Sequence, residues 1–296
     1  MKIDPKNISG TELYHYLTGA VSPRPIAFAS TINKKGEVNL SPFSYFNCFS
    51  ANPPILVFSP ARRSRDNSTK HTLQNVLEVP EVVINIVTFD MVEQMSLTSA
   101  EYADGVNEFE KSGLTAEASE KISPPKVKES PIAFECKVNE VIPLGENGGA
   151  GNLVIAEVVF IHINRNILDN KSKIDPHKLD AVARMGGNWY CRASGDAIFE
   201  IPKPLQNVGI GVDQIPKSIR ESHVFSGNDL GRLATIEKLP TKKEIELFSR
   251  KTPIEEIIGN NPKNTENVQN LIHEEAKSLL KKNKVEEAWL VLLMEY

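Results

Sequence analysis

Apolar residues recur along the chain with two different periods, and the switches between them mark out the elements. Residues 9 to 19 open with Ser9 and Glu12 at capping-box spacing and stop at Gly19, which predicts a short helix. "SPRPIAFASTI" follows, its prolines setting an extended lead into a strand of small and apolar residues. "NKKGE" reads as a hairpin turn, Asn39 to Pro54 ("NLSPFSYFNCFSANPP") as the next strand, and "PPILVFSP" as the one after. Neither face of the Asn39 to Pro54 stretch is clean: Phe43, Tyr45, Asn47 and Phe49 alternate with Ser44, Phe46, Cys48 and Ser50.

In "ARRSRDNSTKHTLQNVLEV" the period changes, with Leu73, Val76 and Leu77 at helical spacing behind a polar, basic loop. "EVVINIVTF" returns to an apolar strand, and a helix is expected over "DMVEQMSLTSAEY" with Asp90 as its N-cap. "ADGVNEFEKSGLTAEASEKISPPKVKES" reads as a long polar loop. Two long strands come next, "PIAFECKVNEVIPLG" and "NLVIAEVVFIHINR", joined by the Gly-rich turn "ENGGAG". That turn lacks GxGxxG spacing and leads into a strand, so it reads as a hairpin loop and not a phosphate loop.

From about Leu205 the texture becomes helical. Thr241 and Glu244 form a capping box; Thr252, Pro253 and Glu255, with Gly259 behind them, frame a second short helix. Val268, Leu271, Ile272, Leu279 and Leu280 predict an amphipathic helix, and the Trp289 segment a last one. The predicted class is mainly β: an antiparallel barrel with peripheral helices over residues 1–204, followed by a helical C-terminal extension over 205–296. A doubly wound sheet would need regular helix alternation, which the first half lacks.

Bulk composition narrows the function classes. Of 296 residues, 40% are hydrophobic and 24% charged, the balance of a globular protein with a sizeable core. With 34 basic against 38 acidic side chains the formal charge is -4, so neither nucleic acid nor an anionic membrane is an expected partner. Cys48, Cys136 and Cys191 lie far apart, which fits neither a disulfide framework nor a zinc site, and a cytoplasmic location is expected. GxSxG and HExxH are absent, and the six histidines are scattered. His162 alternates within an apolar strand and reads as a satisfied half-buried side chain; His273 is expected on the solvated side of its helix.

A concentration of phosphate-compatible donors remains. Arg24, Ser30 and Thr31 fall on the first strand, Ser41 and Ser44 on the next, then Arg62, Arg63, Ser64 and Arg65, and finally Ser68 to Thr72 at a helix start. A helix N-terminus offers free N–H groups and partial positive charge, so Lys70 and His71 there make sense with an anion between them. The same residues also read as a basic surface loop with ordinary N-capping, and composition does not separate the two.

The ordered blocks "SPRPIAFASTINKKGEVNLSPFSYFNCFSANPPILVFSP", "KHTLQNV" and "EVVINIV" resemble the flavin reductase-like family with the FMN-binding split barrel, especially its flavoredoxin-like members. "GVNEFEKSGLT", "SPIAFECKV", "GNLVIAEVVFIHI" and "AVARMGGNWYCR" are similar to later blocks of that family, so the resemblance spans roughly residues 10 to 204. It departs at His71, where many members carry an acidic residue. The resemblance implies FMN bound along Ser30, Thr31, Asn39, Ser41, Pro42, Phe43, Ser44 and Asn47. Its phosphate would be held by Arg24, by the loop at Ser59 to Arg62, and by Lys70, His71 and Thr72. It further implies a homodimer with FMN at the interface, and places Arg184, Trp189 and Tyr190 near the flavin as a charged guide and lids toward substrate; plain packing is the other reading of the two rings.

The activity so implied is NAD(P)H-dependent reduction of a flavin, FMN or FAD as substrate, or of an acceptor through bound FMN, with NADH or NADPH as reductant. No residue is assigned as acid or base. Two other readings stand beside it: a flavoredoxin-like carrier reduced by an electron-transfer protein partner, and a non-catalytic flavin-binding or scaffold module.

Overall fold

The computed structural model describes residues 1–202, 208–252 and 265–294. The chain forms two compact units, Met1–Phe199 and Glu200–Tyr296.

The first unit is built on one seven-stranded antiparallel sheet. Its strands are β1 (Ala27–Ile32), β2 (Val38–Phe43), β3 (Phe46–Ala51), β4 (Pro54–Phe58), β5 (Glu81–Ile86), β8 (Ile132–Pro143) and β9 (Asn152–Ile163). They lie in the order β2-β1-β5-β8-β9-β4-β3. Helix α1 (Gly10–Ala20) precedes the sheet and α2 (His71–Glu78) follows β4, while α3 (Val92–Leu97), α4 (Glu108–Ser112) and the small pair β6 (Ala116–Glu117) and β7 (Lys126–Val127) fill the span between β5 and β8. After β9 come α5 (Pro176–Leu179) and the hairpin of β10 (Val182–Arg184) and β11 (Tyr190–Arg192).

Local chemistry accounts for most boundaries. Ser9 and Glu12 close the predicted capping box on α1, which runs one residue past Gly19. Gly36, at φ +81°, makes the β1–β2 turn. On the inner face Ala27, Ala29, Phe43, Phe58, Val82, Ile84 and Ala156 pack with Leu73 and Val76 of α2. The opposite face of β1 carries Phe28 into a second core with Leu40, Met91, Met95 and Phe109.

Three sequence expectations are corrected here. Asn39 to Pro54 is not one strand. It breaks at Ser44–Tyr45 into β2 and β3, which pair with different neighbours and end up on opposite edges of the sheet. The irregular alternation read across it came from joining two strands into one register, and Phe43 is a core residue with its ring centroid 5.5 Å from that of Phe58. Asp90 is not an N-cap: it lies inside a 3-10 turn, Phe89–Met91, that follows Thr88, and α3 begins after it and stops at Leu97. The stretch read as a polar loop contains α4, with the Asn107 side chain accepting from Phe109 N–H at its start and Gly113 left-handed at its end.

The second unit is helical: α6 (Lys217–Arg220), α7 (Gly227–Leu233), α8 (Lys242–Ser249), then the long helix Thr265–Lys281 and the last helix Val285–Leu292. Thr241 and Glu244 cap α8 as expected, and Ser226 with Asp229 makes a further capping box on α7. The helix read from Thr252, Pro253, Glu255 and Gly259 lies mainly outside the described residues. Trp289 is fully buried among Leu233, Ile272, Ala276 and Leu280, and its indole N–H donates to the Leu233 carbonyl at 2.8 Å. His273 is not solvated. It is 4% exposed, 2.8 Å from the Ser222 hydroxyl and tilted against Phe225, and burial holds its basicity below the ordinary histidine value. Periodicity placed it beside two glutamates but could not show that α6 and the turn after it cover that face.

Candidate functional site

At the start of α2 the chain gathers cations and places them over the edge of the inner sheet face. Lys70 stands at the N-cap position with no side-chain capping bond, followed by His71 and Thr72. Together with Asn39 and Ser41 of β2, Arg63, and the segment Thr98–Tyr102, they line a small polar recess that Glu108 also enters. Among the described residues the Lys70 ammonium has no hydrogen-bond or ion-pair partner. Burial, reinforced by the nearby Arg63 charge, pulls its ammonium below the ordinary lysine value.

One buried relay fixes this corner. Thr72 Oγ1 donates to Asn39 Oδ1 at 2.6 Å, and Asn39 Nδ2 donates to Glu108 Oε1 at 2.8 Å. The other carboxylate oxygen of Glu108 accepts Leu40 N–H at 2.9 Å. Burial nevertheless pushes the Glu108 carboxyl above the ordinary value, against those bonds and the charge of His71. Asn39 therefore spends both side-chain groups on protein partners, as a cross-link between β2, α2 and α4.

The loop carrying Arg62 to Ser68 is held by its own side chains and by the β8–β9 turn. Arg62 bonds to Asn67, whose φ is +58°. Arg63 Nη1 donates to Ser68 Oγ at 3.0 Å and to the Thr69 carbonyl at 2.6 Å. Asp66 accepts from the Ser68 hydroxyl and N–H, which lower its carboxyl to about 2. Across from it, a Cβ on Gly148 would stand 3.0 Å from Arg63 O and Ser64 Cα, so a glycine is required at this position of the "ENGGAG" turn because the 62–68 loop lies directly against it. Ser59 is a brace as well: its hydroxyl accepts Asn152 N–H at 3.0 Å.

The predicted residues thus divide into separate places. Asn39, Ser41, Lys70, His71 and Thr72 meet at the recess. Ser30 and Thr31 are both fully buried on opposite faces of β1: Thr31 Oγ1 accepts from Asn75, while Ser30 Oγ has no partner. Pro42 and Ser44 are half-buried near the end of β2, and Asn47 is exposed on β3. Arg24 is 6% exposed and lies elsewhere. It donates to the Thr18, Val21 and Met185 carbonyls and stands 3.4 Å from Ser44 Oγ. This ties the end of α1 to the β10–β11 hairpin. In that hairpin the Arg184 guanidinium stacks on the Tyr190 ring at 4.6 Å, and Trp189 stands out at the tip, 78% exposed. Sequence reasoning gave no role to Glu101 or Glu108. Asn107 and Gly113, a cap residue and a helix stop six positions apart, were the available signal for α4 and hence for Glu108.

Does this corner suit the phosphate of a flavin nucleotide? A desolvated ammonium without a partner, a buried Arg63 Nε–H without an acceptor and the free N–H groups opening α2 are all donors awaiting an anion. Among the described residues no His, Cys, Asp and Glu are grouped to hold a metal ion, and no helix is long and apolar enough to cross a membrane.

An antiparallel barrel carrying an anion-receptive helix start is the frame of a family of flavin proteins, and comparison with known sequences identifies it. Residues 19–177 match the flavin reductase-like domain, and the chain belongs to that family. Its fold is the split barrel. Nitrilotriacetate monooxygenase component B of Bacillus cereus is 34% identical, over 68% of this chain and 98% of that one, with a TM-score of 0.63. The 2-nitrobenzoate 2-nitroreductase of Pseudomonas fluorescens is 28% identical, over 71% and 100%, at 0.61. A split-barrel protein of Shewanella frigidimarina is 28% identical, over 69% and 99%, at 0.58. Each neighbour is covered almost entirely while about three tenths of this chain is left over, and the family match stops short of the second unit.

Proposed function

We propose that this flavin reductase-like protein binds FMN, takes reducing equivalents from NADH or NADPH, and passes them to an acceptor, which includes free flavin. The observation that carries the reading is the desolvated, partnerless Lys70 at the start of α2, beside Arg63 and inside a family frame that handles flavins. Bound FMN would supply the hydride chemistry. The chain's own work is then positional. Lys70, Thr72 and the α2 N–H groups would hold the phosphate; Ser41, Ser44 and Asn47 would serve the remainder of the cofactor, and the relay through Asn39 and Glu108 would keep the corner rigid. Arg184, Trp189 and Tyr190 would guide or cover the substrate.

The proposal includes a homodimer. Three of its supports are apolar surfaces left open by a single chain. Tyr14, Leu17 and Val21, on and just after α1, are half-exposed or more; Phe160, Ile161 and Ile163 are exposed at the end of β9, beyond its pairing with β4; and Trp189 is bare. The decisive test is the absorption spectrum of the purified protein loaded with FMN, before and after NADH or NADPH. Rapid bleaching by either nucleotide is expected. Bleaching only by a reduced protein donor would make the chain an electron carrier, and absence of any FMN binding would leave it a non-flavin scaffold.

A further inference from the structure

The recess is lined by two carboxylates as well as by Arg63, Lys70 and His71, an unexpected complement for a place receiving a dianion. Arg63 and Lys70 bring positive charge, and Glu101 and Glu108 bring an equal negative charge. Arg65, just outside the recess, pairs with Glu101, but a dianionic phosphate added with nothing else changed would still face both carboxylates in half-buried surroundings, where screening is weak. One carboxylate has to yield.

Glu108 is poorly placed to do so, being 4% exposed and bonded to Asn39 and Leu40. Glu101 is free to. Its side chain is 47% exposed and sits on the loop between α3 and α4. Glu101 Oε2 accepts from Arg65 Nη2 at 2.8 Å, whereas Oε1 is 3.3 Å from Arg63 Nε without the geometry of a hydrogen bond, so that buried N–H remains unsatisfied. The carboxylate therefore neutralises Arg63 without using its inward donor. Arg65, its other partner, is 71% exposed and offers a place to withdraw to.

We propose that Glu101 is a built-in competitor for the phosphate: it occupies the field of Arg63 in the free chain and retreats with Arg65 when a dianionic phosphate monoester enters. The inference rests on the phosphate reading above. It makes the site selective by charge, since a doubly charged ligand can displace the carboxylate while an uncharged flavin gains nothing from doing so.

The test is fluorescence titration of the full chain with FMN and with riboflavin, in the wild type, Glu101→Gln and Arg65→Gln. Glu101→Gln is expected to bind FMN roughly three- to tenfold more tightly, the range of a partly exposed charge interaction, with riboflavin unchanged. Arg65→Gln leaves Glu101 with Arg63 and Lys70 inside the recess and is expected to weaken FMN by a similar factor. If the wild type prefers FMN to riboflavin but Glu101→Gln leaves FMN affinity equal or lower, Glu101 merely orients Arg63 and the proposal is overturned. Shifts in the same direction in both variants overturn it too. Equal wild-type affinity for FMN and riboflavin removes the phosphate reading itself, a different failure from the other two.

Discussion

Thr72 and Asn39, 33 positions apart, share a 2.6 Å hydrogen bond that joins the first turn of α2 to strand β2, and Glu108 completes the join from α4. Replacing Glu108 by Ala strands the Leu40 N–H and the Asn39 amide together. A loss of about 2–3 kcal/mol in urea unfolding is expected, with Glu108→Gln milder because its amide oxygen can still accept one bond.

The same carboxyl sets a pH dependence. Its folded form keeps a proton to higher pH than the unfolded value of 4.5. Folding therefore takes up a proton between those two values, and this group's contribution to stability grows as pH falls through that window. Glu108→Gln cannot titrate. Unfolding curves from pH 7 toward 4.5 should show the wild type gaining on the variant as acidity increases; a constant gap would contradict the assignment.

Lys70 separates binding from stability. Its ammonium is desolvated without a partner, so Lys70→Met should leave the melting temperature of the flavin-free protein unchanged or raised. The same variant should lose FMN affinity by roughly ten- to a hundredfold, about 1.5–3 kcal/mol for a charge-assisted contact. Riboflavin affinity should not move. A destabilised variant would mean that Lys70 serves the fold.

Gly148 tests the contact between the β8–β9 turn and the 62–68 loop. In Gly148→Ala the new methyl meets backbone, which cannot swing aside as a side chain would, and a cost of roughly 1–3 kcal/mol is expected together with weaker FMN binding. Gly10→Ala is the control. A Cβ there meets nothing within 4 Å and sits in the first turn of α1, so thermal unfolding should be unchanged or slightly improved.

The two tryptophans report on different units: Trp289 is fully buried and Trp189 78% exposed. In Trp189→Phe the remaining emission should be blue-shifted and resist iodide, and its loss on heating follows the second unit. His273 holds its proton less tightly when folded than the ordinary 6.5. Its contribution to stability is thus retained above 6.5 and lost as pH falls below it. The Trp289 transition should move to lower temperature between pH 7 and 5, and His273→Gln should lessen that shift.

Much of the barrel was legible because its strands are bounded by strong local signals: the Gly36 turn, the Gly-rich β8–β9 turn and the periodic switch at α2. The break at Ser44–Tyr45 was not, since it follows from which neighbours β2 and β3 join, a non-local choice. Lys70 to Thr72 could be nominated from helix-terminus chemistry. Arg24 could not be placed by that reasoning, because a guanidinium donates equally well to carbonyls, and here it binds those of Thr18, Val21 and Met185. Glu101 and Glu108 lay in a stretch whose polarity concealed α4, and no local rule reports that a distant strand needs an acceptor.

That acceptor has one more effect. β2 forms an edge of the sheet, and its Leu40 N–H points away from β1, where a foreign strand could add. By accepting that N–H with a carboxylate oxygen, Glu108 denies an incoming backbone a donor to pair with. The residue that braces the start of α2 is in this way also a guard against edge-to-edge association, so its loss should be felt in concentrated solution as well as in a melting curve.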